Sequence, residues 1–333
     1  MEYIIRKFAE DADFQALVSG VQAGMSEQLV SGLPGSSRTI FIAALAERLN
    51  RPLFVITHNM YSAQKIAEDL TECMPPEQVL FFPAHEVTVT EAFAASPEIR
   101  AQRIEALSRL IRGFRGVVVA PFAGVRKLLP VRQAFEAAQF RIAVGDAFPM
   151  QEFVRRLVEL GYERTEQVEN PGEFSVRGGI ADFYPVTSSS PYRIEWFDDE
   201  VDSIREFDVN TQRSTHKLQE LIVLPSREIF ADERRFRNAA DHAYDLLQAQ
   251  LGKLTDRSTK EKLLDHLTDE IEKLREKMSF PGIYKYISLL YPERQTLLDY
   301  LPEDAIFLLD EPLRLLETVK QLEREEAEAL SSL

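Results

Sequence analysis

Apolar and polar positions follow two different periods along the chain. From residue 28 to residue 126, short uninterrupted apolar runs at 28–31, 53–56, 79–82 and 116–120 alternate with longer amphipathic stretches. An example is 62–72, where Ile66 and Leu70 are spaced by four and share one helix face. Uninterrupted apolar runs are the signature of strands covered on both faces, so this part predicts β-α-β-α-β-α-β and a parallel sheet. From 163 to 208 the period changes to two. Phe174 and Val176 alternate with Glu173, Ser175 and Arg177, and the stretch is punctuated by Gly178-Gly179 and Asp198-Asp199, both suited to two-residue hairpin turns.

That second pattern predicts an antiparallel sheet with strands at 165–168, 173–177, 180–184, 192–197 and 201–208. One face is for a helix at 150–160, which Gly161 stops, and one is for solvent or a partner. A strand is expected at 140–144. Beyond it, 221–224 is again a strand, and 232–300 is helical and highly charged, with Leu263, Leu267, Ile271 and Leu274 spaced as a seam. A last apolar strand at 305–309 runs into Asp310-Glu311, and a Glu-rich helix closes the chain from 313 to 330. Residues 1–27 form an exposed, partly helical lead-in.

Bulk properties narrow the class. At 333 residues and 45% hydrophobic, the chain can bury two or three cores. The single Cys73 excludes an internal disulfide framework and fits a reducing compartment, so cytoplasm is expected. No stretch resembles a signal or a membrane span. The net charge of −15 disfavours nucleic-acid binding by the whole surface. Arg100, Arg103, Arg109, Arg112 and Arg115 make one helix locally basic, but Glu98 and Glu105 are interleaved and a solvated face is expected. The five histidines never fall at ligand spacing, so no metal is assigned.

The candidate chemistry sits at GLPGSSRT, residues 32–39, placed after a strand and before a helix. This is the setting of a P-loop, whose backbone N–H groups cradle phosphates. Gly32 and Thr39 hold the outer positions of GxxxxGK[ST]. Ser37 stands where the second glycine belongs and Arg38 where the lysine belongs, which crowds the backbone and replaces a compact ammonium by a planar guanidinium. Asp310 and Glu311 fall where a second P-loop motif places its acids near Mg²⁺ and water. A ligand-free strand-to-helix turn outweighs nucleotide binding here, and hydrolysis is expected least.

Together the relic GLPGSSRT, the stretches GYERTEQVENPGEFSVRGGIADFYPV and EWFDDEVDSIREFD, and the terminal FLLDE resemble the UvrB-like module at the N-terminus of bacterial transcription-repair coupling factor. The resemblance implies a degenerate P-loop NTPase-like α/β domain split in sequence, 1–126 and 215–333, with a small antiparallel β-rich domain at 127–214 inserted. UvrB keeps the P-loop lysine and an aromatic-rich hairpin that grips DNA; here Arg38 replaces the lysine and residues 85–96 hold one aromatic, Phe93. The inserted domain of the family docks UvrA, which points by position to Arg164, Arg177 and Phe183. A core role for Phe183 stays open. The resemblance further implies a longer parent that binds RNA polymerase and translocates on DNA, with ATP and Mg²⁺ in its motor and no cofactor or catalytic residue in this chain, itself a monomer. An active UvrB-like ATPase or helicase domain is the alternative, and an α/β interaction domain without a repair role is a third.

Overall fold

A computed structural model describes residues 1–84, 96–278, 280 and 282–331. Residues 85–95, including His85 and Phe93, lie outside the described residues, as do 279, 281 and 332–333. The chain divides into two compact units. The first comprises Met1–Val89, Arg109–Lys127 and Tyr300–Leu333, and the second Thr90–Ser108 and Leu128–Asp299.

The first unit is built on four parallel strands in the order β12-β1-β3-β2, where β1 is Leu53–Thr57, β2 Val79–Phe81, β3 Val117–Pro121 and β12 Ile306–Leu309. All five residues of β1 and of β3 are buried, as uninterrupted apolar runs require. Helices α1 (Glu2–Ala9), α2 (Ala12–Gln22), α3 (Ser37–Leu49) and α4 (Met60–Thr71) supply Ile5, Phe14, Phe41, Leu45, Ile66 and Leu70 to the core over Leu53, Val55, Val117 and Val119. Local chemistry sets the helix starts. The Asp11 carboxylate accepts from the Asp13 and Phe14 amides, and the Asn59 side chain accepts from Ser62. Helix α6 (Phe122–Val125) and the closing helix α12 (Pro312–Ser331) complete the unit.

The strand expected at 28–31 is absent. Residues 23–36 are irregular, Leu29 is 87% exposed, and the flanking Gly24 and Gly32 adopt φ of +82°. Two apolar residues between left-handed glycines bury too little to hold a strand without a ladder partner. The sheet therefore takes its fourth strand from β12, near the end of the chain.

In the second unit, six strands are ordered β10-β9-β8-β7-β6-β5. They are β5 (Glu163–Arg164), β6 (Glu173–Arg177), β7 (Ile180–Phe183), β8 (Tyr192–Phe197), β9 (Glu200–Phe207) and β10 (Ser214–Leu218). All pairs are antiparallel except β5 with β6. The inner face, carrying Phe174, Ala181, Phe183, Ile194 and Val201, packs with Phe153 and Leu157 of α8 (Met150–Glu159). Ile142 and Val223 join this core from a separate two-stranded ribbon of β4 (Phe140–Ala143) and β11 (Glu220–Val223). Helix α7 (Arg132–Ala138) precedes the ribbon.

A further core forms where α9 (Glu233–Lys253), α10 (Arg257–Arg275) and α11 (Ile287–Leu290) bury Phe236, Leu247, Ile271, Leu274 and Leu290. Of the α10 seam, Leu263 and Leu267 pack against this core while only partly buried. Residues 128–299 belong to the second unit and 109–127 to the first.

Two expectations change in this unit. The strand expected at 165–168 does not form; pairing with β6 is confined to β5, just before it, and to the Thr165 amide, which donates to the Phe174 carbonyl at 2.8 Å, after which the Glu173 carboxylate accepts from the Glu169 and Asn170 amides and turns the backbone. The arginines of α5 (Pro97–Ile111) are not one solvated face. Arg103 is 0% exposed and grips the Glu228 carboxylate with both Nε and Nη2. The start of that helix is as expected, with the Ser96 hydroxyl accepting from the Ile99 amide.

Candidate functional site

The turn at 32–39, where the sequence predicts a degenerate P-loop, is tied by local hydrogen bonds. The Ser37 amide, which a P-loop would aim at phosphate, donates to the Pro34 carbonyl at 3.2 Å, and the Ser37 hydroxyl donates to the same oxygen at 2.7 Å. Thr39 is buried at the start of α3, and Gly32 is exposed in the open segment before the turn. Arg38 reaches across to the carboxyl end of β12 and donates to Asp310 at 2.7 Å, where the acid's side chain is 7% exposed. Glu311, at φ +51°, faces Arg314 at 2.9 Å and His58 at 3.8 Å.

The cation that replaces the P-loop lysine therefore neutralises the acid that would serve Mg²⁺. The Arg38–Asp310 pair borders an open cavity of about 1320 Å³ lined also by Gly32 and Glu311. Among the described residues, no group of three or more His, Cys, Asp or Glu side chains could hold a metal.

The outer face of the six-stranded sheet is chemically different. Because side chains alternate along a strand, Phe174, Ala181, Phe183, Ile194 and Trp196 turn inward, while Arg177, Ile180, Asp182, Arg193, Glu195 and Phe197 turn outward. Much of the outward set is satisfied within the sheet. Arg193 clasps Asp182 with two hydrogen bonds of 2.7 and 2.8 Å and lies over the Phe207 ring, and Glu195 accepts from Arg205 and Ser203.

Arg177 is exposed at the end of β6, its Nη2 donating to the Glu166 carbonyl at 2.7 Å, a bond that uses one of the guanidinium's five N–H donors. Arg164 is exposed on the edge strand β5. Its register partner is the core residue Phe174, so the register puts it on the other face of the sheet edge from Arg177, three positions back. Phe183 is fully buried, with Phe153, Tyr162 and Tyr192 around its ring at centroid distances of 5.4–6.0 Å. An interface role for Phe183 is thereby corrected to a core role.

The aromatic that does reach solvent is Phe197, 75% exposed beside the Asp198-Asp199 turn. Its signal was present in the sequence. Counting alternate positions from the inward Ile194 places Phe197 outside, one residue after the inward Trp196.

Known proteins give the same region a family. The UvrB interaction domain model matches residues 140–229, which contain the whole six-stranded sheet and its packing helix. Over all 333 residues the chain is 41% identical to a transcription-repair-coupling factor of Bacillus subtilis, covering 28% of that protein. It is 32% identical over 329 residues, 97% of this chain and 27% of the relative, to the factor of Staphylococcus aureus. Identity is again 32% over 335 residues, 99% of this chain, to that of Staphylococcus epidermidis, with 28% of the relative covered. The chain thus spans little more than a quarter of the length of these relatives.

Proposed function

The chain corresponds over its whole length to the N-terminal, UvrB-like module of the transcription-repair coupling factors, and from that premise we propose that its six-stranded sheet domain recruits UvrA. The observation that carries this reading is the coincidence of the UvrB interaction domain with the sheet whose outward face and edge expose Arg177 and Arg164. Exposed arginines are frequent anchors because the guanidinium makes bidentate, charge-assisted bonds to carboxylates.

In this reading the parallel-sheet unit is a scaffold and turns over no nucleotide. The longer parent would use its other regions to engage RNA polymerase and DNA and to release stalled polymerase with ATP, bringing UvrA to the lesion. A cytoplasmic setting is consistent with that work, and no helix among the described residues is long and apolar enough to cross a membrane.

Direct titration of UvrA onto this chain tests the proposal. Arg177→Ala is expected to weaken binding by about 2 kcal/mol or more, with Arg164→Glu weakening it in the same direction. Unchanged affinity in both variants sinks the proposed surface. The ATPase alternative has its own test: Arg38→Lys restores the motif lysine yet is expected to give no DNA-stimulated ATP hydrolysis, since the Ser37 amide stays committed to Pro34. Hydrolysis by the unaltered chain that Asp310→Asn abolishes would establish that alternative instead.

A further inference from the structure

Phe197 is an outlier within its domain. Its neighbour Trp196 is 9% exposed and hydrogen-bonded through its indole N–H to the Phe148 carbonyl, and Phe174 and Phe183 are 0% exposed, but the Phe197 ring is 75% exposed. It closes the two-residue β8–β9 loop by pairing with Glu200, and Asp198 adopts φ of +52° to make the turn. The β6–β7 loop, Gly178-Gly179, lies at the same end of the sheet, with the Trp196 amide donating to the Gly179 carbonyl at 2.9 Å.

A Cβ built at Gly178 would meet no atom within 4 Å, so this loop is open to solvent. Two strand spacings, about 10 Å, separate β8 from β6, so Phe197 and Arg177 stand on one face at one end. On β9, Asp202 is the extra residue where the register shifts, and a bulge of this kind twists the strand end and re-aims what it carries.

The charge around the ring narrows what could cover it. Asp198, Asp199, Glu200 and Asp202 are all exposed. Carboxylates in that density repel a phosphate backbone. They suit a protein surface with an apolar pocket and a rim of lysine or arginine, while Arg177 asks that surface for a carboxylate.

We propose that Phe197 is the aromatic anchor of the docking surface, seated in an apolar, basic-rimmed pocket of the partner with Arg177 alongside. This rests on the reading of the sheet domain as the UvrA-docking module and adds to it a residue, an end of the sheet and the chemistry of the pocket.

The test is the affinity of UvrA for the 333-residue chain carrying Phe197→Ala, Phe197→Tyr, Asp199→Lys or Arg177→Ala. Phe197→Ala is expected to weaken binding about tenfold or more, with the thermal midpoint and Trp196 fluorescence unchanged because the ring is exposed. Phe197→Tyr should keep affinity within about threefold, as the ring still fills the pocket. Asp199→Lys should slow association, most at low salt. Wild-type affinity in Phe197→Ala while Arg177→Ala binds weakly overturns this inference and leaves the docking reading standing. A loss in Phe197→Ala matched by a fallen thermal midpoint makes the ring structural and also overturns it. Absence of UvrA binding by the unaltered chain removes both.

Discussion

Phe183 and Phe197 differ by the parity of their positions on neighbouring strands, and that parity decides what each can do. Burying a phenylalanine ring removes its apolar area from water and fills volume that smaller side chains leave empty. Phe183→Ala is therefore expected to cost about 3–5 kcal/mol in denaturant unfolding, because its ring is packed on Phe153, Tyr162 and Tyr192. Any fall in partner binding should follow the unfolded fraction. If Phe183→Ala keeps full stability and loses binding, the inward placement is wrong. At this scale the sequence was informative about residue types and silent about distant partners. Ser37 and Arg38 are visible as departures from a P-loop, yet the acid that Arg38 holds lies 272 positions further on, and no local pattern announces that pair.

Elements were most legible where one period persists. The buried strands β1 and β3, helix α8, the β6–β7 and β8–β9 hairpins and the α10 seam all follow from spacing, because each pairs a regular apolar stripe with a clear turn or cap. Short segments failed where stability comes from outside the segment. Residues 28–31 look like a strand but have no ladder partner; 165–168 keep one backbone bond, from Thr165 to Phe174, before the chain turns at Glu169; and β10, with the polar sequence STHKL, is a strand through pairing with β9 alone.

The basic helix α5 misled in a different way. Alternating charge reads as a solvated face, but Arg103 is inside, bonded to Glu228. Removing one partner of a buried pair strands the other charge, so Arg103→Ala should destabilise the chain by about 3–5 kcal/mol. The double variant Arg103→Met/Glu228→Leu should recover much of that loss in the same unfolding assay. A double variant no more stable than Arg103→Ala would argue against the pair as the source of the cost.

At the scale of the molecule, one unit carries a parallel sheet with the Arg38–Asp310 pair at the carboxyl end of β12, and the other a six-stranded sheet that exposes Arg164, Arg177 and Phe197. The change of period at 163 marked the sheet domain in the sequence. Helices α9 and α10 carry ordinary amphipathic patterns that do not say which core they cover, and the core they form with α11 was not marked. The measurement that bears most directly on the account is the equilibrium titration of UvrA against the 333-residue chain and its Arg177→Ala variant. Saturable binding by the unaltered chain, weakened by about 2 kcal/mol or more in the variant at unchanged thermal stability, is the predicted result. No binding, or binding that Arg177→Ala leaves untouched together with Arg164→Glu, would contradict it.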